Sequence, residues 1–188
     1  MNLKKIHQDV QFEVQVLQYD NVIDALVEHN KDIGIVMSPF DSAYMTKIPL
    51  AKSEFVCAYA KGEFSDTIER LHLSQLNELP YISIEDSGPL SHILSSYTGD
   101  ESIGIDVSLV AQTYFVARNL VAFGGGISVV DEYTARSEGA GPIKFKGFQP
   151  ALYFDLCAIH IENRRPAKIC LDFLDFFKQN FLENHTPL

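Results

Sequence analysis

The sequence predicts an α/β protein of two Rossmann-like lobes joined by two crossing strands. Three observations predict it. A strand, a helix and a strand follow one another within residues 10–36. Strands and helices then alternate from residue 53 to residue 130. A long strand at 152–161 and an amphipathic helix at 165–184 close the chain.

Each element has a local cause. Val10, Phe12, Val14 and Val16 alternate with Gln11, Glu13 and Gln15, the period of a strand with one buried face. Asp20 or Asn21 then caps a helix whose apolar face is Val22, Ile23, Leu26 and Val27. Residues 32–36 form a short, continuous apolar run, as expected of a buried parallel strand. Together the three make a βαβ unit. Residues 53–60 read as a strand, and 73–79 as a short helix stopped by Pro80. A strand at 81–84, a turn at 85–89 and a helix at 90–97 follow. Pro89 stands just before that helix, where proline costs no backbone hydrogen bond. A strand at 103–109, a helix at 112–123 ended by Gly124, Gly125 and Gly126, and a strand at 127–130 come next. Residues 136–142 read as a surface loop. The last helix places Ile169, Phe173, Phe176, Phe177 and Phe181 at helical spacing, which reads as core packing. Residues 53–60 and 153–161 are taken as the crossing strands. Lobe I is then 1–60 plus 160–188, and lobe II is 61–159.

Composition bounds the function. The chain has 188 residues, 46% of them hydrophobic, enough for a core and against wholesale disorder. No apolar run is long enough to span a bilayer. The first nine residues are basic without an apolar stretch behind them, so no secretory signal is read and a cytoplasmic protein is expected. Cys57, Cys157 and Cys170 are odd in number and far apart, which points to reduced, buried thiols. A net charge of −10 repels phosphate backbones, so the chain by itself is not expected to hold nucleic acid.

Motifs for chemistry are sparse. Gly124–Gly126 lacks the phosphate-loop pattern and follows a helix instead of opening one, so it reads as a helix C-cap. No two of the six histidines have metal-ligand spacing, and His160, on a crossing strand, reads as structural. No serine elbow or Cys–His–acid grouping supports a nucleophile. No catalytic residue, metal or cofactor is expected. Four places sit at strand C-termini, where open α/β sheets take ligands. They are Tyr19, Ser38, the pair Ser87–Gly88, and the pair Gln112–Thr113. At Ser87–Gly88, backbone N–H groups suit a carboxylate, but capping of the next helix explains the same residues.

Several stretches resemble the effector-binding domain of LysR-type transcriptional regulators. Residues 120–130, LVAFGGGISVV, are similar to the family's "LVAAGLGIALLP" helix-to-strand segment. Residues 32–36 match its "DLGIV" strand. Ile48-Pro49-Leu50 with Glu54 match "PL..E", residues 73–80 match "sLxdLaxxP", and the helix after Asn163-Arg164-Arg165-Pro166 matches its closing helix. The resemblance covers essentially the whole chain. It implies a type 2 periplasmic-binding-protein-like fold and a small anionic or zwitterionic effector between the lobes. Tyr19, Ser38, Ser87, Gly88, Gln112 and Thr113 would hydrogen-bond that effector. It also implies a homodimer, and DNA contact only through a winged helix-turn-helix that these residues do not include. Residues 128–135, SVVDEYTA, look like the branch that senses lysine, arginine or opines, where a "VDPFTA"-like run is common. The first strand and most of the first helix of lobe I are expected to be missing, leaving that lobe truncated. Alternatives are a transporter's solute-binding protein, an enzyme on a similar frame, and a dimerisation module without ligand.

Overall fold

A computed structural model describes residues 7–38, 44–77, 79–84, 88–98, 105–138 and 141–182. The chain divides into two compact units. The first is Met1–Ala51 with Asp155–Pro187, and the second is Lys52–Phe154. Two long strands, β2 (Met45–Ala60) and β6 (Ile143–Ile161), each start in one unit and end in the other.

In the first unit, α1 (Tyr19–Val27) packs on β1 (Gly34–Met37), and α5 (Lys168–Phe177) runs into a wider turn at Lys178–Leu182. Leu26, Val36, Met45 and Ile159 form the core, with Tyr19, Val22, Ile23 and Ile161 packed against it. Gly34 allows the close approach of helix to strand, since a Cβ there would lie 2.7 Å from Val22 Cγ1. Phe12 stacks on Phe173 with centroids 6.0 Å apart, and His7 Nε2 lies 3.2 Å from Asp172.

Three expectations for this unit change. Residues 11–18 join no ladder, and Val14 and Val16 are 80% and 81% exposed. The alternation is present, but a strand exists only where a neighbour accepts its hydrogen bonds, and none does among the described residues. The strand–helix–strand unit expected at 10–36 therefore lacks its first ladder. Secondly, β1 pairs antiparallel with β6, Gly34 opposite Ile159 and Met37 opposite Leu156, where a parallel strand was expected. A run of four apolar residues cannot distinguish the two. Thirdly, α1 starts at Tyr19 with Gln18 as N-cap and no side-chain cap, and Val27 is 54% exposed. Asp20 instead sits in the first turn, where its charge suits the helix dipole.

The second unit is built as the alternation predicts. Strands β3 (Tyr81–Ile84) and β4 (Val107–Ala111) are parallel and joined through α2 (Pro89–Thr98). Helix α3 (Tyr114–Ala122) then leads back to the other side of β3. There Ile127 donates to Pro80 O and accepts from the Ile82 N–H, both at 2.8 Å. Strand β5 (Ser128–Asp131) continues as an antiparallel partner of β2, Phe55 opposite Asp131 and Ala58 opposite Ser128. One core cluster gathers Val56, Ala58, Ile82, Ala111, Ala117, Val121, Val130 and Ala135. A fork from Arg70 to the buried Glu54 carboxylate, at 2.8 and 3.0 Å, ties the Arg70 loop to β2. Arg70 also donates to Phe148 O at 3.0 Å.

Some boundaries shift. Residues 73–79 give only a single 3₁₀ turn at Leu73–Leu76. The strand expected at 103–109 is β4, and residues 99–104 lie outside the described set. The helix expected at 112–123 begins at Tyr114. The loop expected from residue 136 is preceded by a short helix, α4 (Glu132–Arg136), capped by Asp131 accepting from the Thr134 N–H at 2.9 Å. The closing helix, expected from 165 to 184, starts only at Lys168, after Pro166. Cys57 and Cys157 are buried free thiols, while Cys170 is only half-buried. Burial pushes the Cys57 thiol far up, so it stays protonated and inert. His160 is buried, and its Nδ1 lies 2.8 Å from Ile161 O. Among the described residues no helix is long and apolar enough to cross a membrane.

Candidate functional site

The candidate residues fall into two groups, one in each unit. In the first unit, Tyr19 opens α1 and packs half-buried on the core. Ser38 follows β1. Its N–H donates to Asp155 O at 2.8 Å, and its hydroxyl accepts from the Asp155 N–H at 3.1 Å. That hydroxyl therefore braces the strand end against β6.

In the second unit the register aligns two strand ends. Ile84 is paired with Ala111, so the C-terminal ends of β3 and β4 lie side by side. Gly88 comes just after the first of these ends, and Gln112 and Thr113 directly after the second. Gly88 is in open space, and its carbonyl accepts from the Ser91 N–H at 3.1 Å and the Ser91 hydroxyl at 2.9 Å. Gln112 is exposed. Thr113 is the N-cap of α3. Its hydroxyl accepts from the Val116 N–H at 3.2 Å and its carbonyl from the Ala117 N–H at 3.0 Å. Ser87 lies outside the described residues. Gly88 precedes α2 beyond residues 85–87, which lie outside the described set, while the register sets the ends of β3 and β4 side by side, with Gln112 and Thr113 directly after β4 and Thr113 opening α3. This is where an α/β sheet offers free N–H groups and positive helix ends. Replacing Thr113 by Ala is expected to cost about 1 kcal/mol, a typical N-cap loss. Urea denaturation checks it, and an unchanged midpoint would show that α3 does not depend on the cap.

Several buried ionisable residues were not anticipated, Asp131 and Arg118 among them. Asp131 ends β5 and caps α4, and desolvation pushes its carboxyl above the ordinary range. Arg118, on α3, is 5% exposed, and its Nε and Nη1 have no hydrogen-bond partner among the described residues. The sequence carried a signal for Arg118. Tyr114, Ala117, Arg118 and Val121 fall at spacings of three, four and seven, so the charge sits on the inward stripe. The helix C-cap reading of the glycines holds. Gly124 adopts φ +83°, its N–H bonds Val121 O at 3.0 Å, and the Gly125 N–H bonds Leu120 O at 2.9 Å. In the first unit a surface groove of about 470 Å³ lies beside α1, lined by Asn21, Asp24, Glu28 and Lys31 among others. It contains none of the expected site residues.

A family model described as "LysR substrate binding domain" matches residues 2–182. The chain belongs to that family. The HTH-type transcriptional regulator DgcR of Pseudoalteromonas sp is 36% identical to it over 166 residues, 88% of this chain. The chain spans 57% of that relative's length. Among solved structures, the Synechocystis CcmR regulatory domain in complex with 2-PG aligns with TM-score 0.81 and 16% identity. That alignment covers 98% of this chain and 89% of the other. The effector binding domain of QuiR in complex with shikimate gives 0.77 and 17%, covering 98% and 88%. HinK, a LysR family regulator from Pseudomonas aeruginosa, gives 0.78 and 12%, covering 95% of this chain and 63% of the other. The LysR regulatory-domain fold, of the type 2 periplasmic-binding-protein-like kind, is thereby shown. The family is that of a regulator's binding domain and not an enzyme family.

Proposed function

We propose that this chain is the sensing part of a LysR-type transcriptional regulator and binds a small effector at the strand C-termini. The observation that supports it most is the alignment of the β3 and β4 ends, with Gly88, Gln112 and Thr113 at the start of two helices, in a chain of the LysR family. Two fold relatives carry 2-PG and shikimate, both small molecules. In this reading Tyr19, Ser38, Ser87, Gly88, Gln112 and Thr113 supply hydroxyls, amides and N–H groups to an anionic or zwitterionic effector. Binding shifts the balance between two arrangements of the domain only by its difference in affinity for them. An attached DNA-binding segment would read that shift, and a regulator of this kind acts in the cytoplasm, where the DNA is.

A homodimer belongs to the same reading. The exposed apolar residues supply surface for it: Val14 and Val16 in the first unit, and Val107, Leu109 and Val110 along β4 in the second. Isothermal titration across amino acids, opines and small carboxylates tests the sensing function. Saturable binding at one site per chain is the expected result. No heat of binding across all three classes would reject it.

A further inference from the structure

We infer that Arg118 is the counter-ion of an anionic group, a carboxylate or a phosphate, on the molecule this domain binds. The inference rests on the effector-sensing reading and adds the residue that takes the charge.

A guanidinium does not lose its proton at any working pH, so Arg118 cannot neutralise itself as a buried lysine can. It is nine-tenths buried, and Nε and Nη1 have neither solvent nor, among the described residues, a hydrogen-bond acceptor. Among the described residues no carboxylate forms an ion pair with it, whereas Arg70 and Arg136 each hold a glutamate at 2.8 and 2.9 Å. A buried charge without a partner is among the costliest arrangements a fold can carry. It persists where some state of the protein supplies the partner.

Position says where that partner sits. Arg118 is on the inward face of α3, one turn after Tyr114. Helical side chains lean back towards the N-terminus, which here means towards the first turn. There the Thr113 hydroxyl and carbonyl take the Val116 and Ala117 N–H groups. Helix geometry leaves the Tyr114 and Phe115 N–H groups without an intrahelical acceptor. The start of α3, just past the C-terminal end of β4, therefore offers two N–H donors and the positive end of the helix dipole, with the Arg118 cation one turn in. In a chain of net charge −10, an anion needs such a local reversal of potential. An anion that bonds the sealed Nε or Nη1 requires the guanidinium or its cover to shift, the kind of rearrangement a sensor requires.

The test uses the whole chain, with inorganic phosphate and acetate as probes and ionic strength held constant with chloride. Thermal unfolding and titration are run on the wild type, Arg118→Met and Arg118→Lys. Phosphate or acetate should raise the wild-type unfolding temperature saturably and leave Arg118→Met unmoved. In chloride alone, without phosphate or acetate, Arg118→Met should unfold at a higher temperature than the wild type, because the unpaired charge is gone. A merely structural arginine gives the reverse order. Should Arg118→Met not fold, Arg118→Lys carries the test, with an affinity about tenfold weaker through loss of the planar fork. Equal anion responses in wild type and variants overturn the inference, as does a wild type unmoved by both anions. A neutral compound that still binds would leave the sensing function standing while the Arg118 assignment fell. Failure of charged and neutral compounds alike would remove both.

Discussion

Gly126→Ala should destabilise the chain by about 3–5 kcal/mol, the range that marks a broken backbone constraint rather than an ordinary substitution. Gly126 has φ +119°, a conformation that costs little for glycine alone. A Cβ there would lie 2.1 Å from Pro80 O and 2.8 Å from its carbonyl carbon. Those are backbone atoms, so no side chain can swing aside. The same Pro80 carbonyl accepts the Ile127 N–H at 2.8 Å, and the Ile82 N–H donates back to Ile127 O. Relieving the clash therefore breaks the hydrogen bonds that hold the chain after α3 against β3. Urea denaturation followed by circular dichroism measures the loss. Gly124→Ala provides the comparison, since its φ is +83° but nothing lies within 4 Å of its would-be Cβ. That change should cost only the strain of a left-handed residue, about 1–2 kcal/mol. Equal losses at the two positions would refute the close-approach argument.

Phe55→Ala is expected to cost a similar amount, about 3–5 kcal/mol, for a different reason. Phe55 is fully buried on β2, its ring 4.7 Å from Phe154 and 5.8 Å from Tyr114. Truncation leaves a cavity where strands β2 and β6 and the first residue of α3 meet. Tyr114 is the residue through which α3's N-terminal turn is anchored to this core. The variant should thus weaken effector binding as well as stability, because the helix end that presents Thr113 loses its support. Phe55→Leu, which keeps most of the volume, should lose much less, under about 1.5 kcal/mol. If Phe55→Ala weakened folding but left titration of any bound effector unchanged, the coupling of this core to the site would be wrong.

The second unit was legible because its signals are local and mutually consistent. Strand Tyr81–Ile84 follows Pro80, α2 starts with Pro89, and α3 stops at a glycine run, while the turn expected at 85–89 falls largely outside the described residues. Each boundary is set by a residue whose backbone chemistry leaves few choices. The first unit was read less well because its signals depend on distant partners. Alternation at Val10–Val16 records which face ought to be covered, but not what covers it. Direction of pairing in β1 is decided by β6, over a hundred residues later in the chain. The short helix α4 was missed because five residues fall below any periodicity test, although Asp131 three residues before Thr134 is a cap signal. The candidate residues were picked by one rule about α/β sheets, and Tyr19 departs from it because residues 11–18 form no strand. Arg118 was not found by it, since it sits in the second turn of a helix and not at a strand end. Asking which charged residues fall on an apolar stripe would have found it.

The exposed run from Glu13 to Val16 has a practical consequence for handling the molecule. Backbone that joins no ladder among the described residues, with valines at 80% and 81% exposure, offers a template on which a second chain can add, strand to strand. Glu13, on the same run, is held by Lys31 and is its one acidic side chain. It therefore serves as the gatekeeper of the segment, discouraging stacking of like upon like. Solubility on storage should depend on protein concentration more than on temperature. A preparation that clouds as it is concentrated would be reporting on this segment, with the rest of the domain still folded.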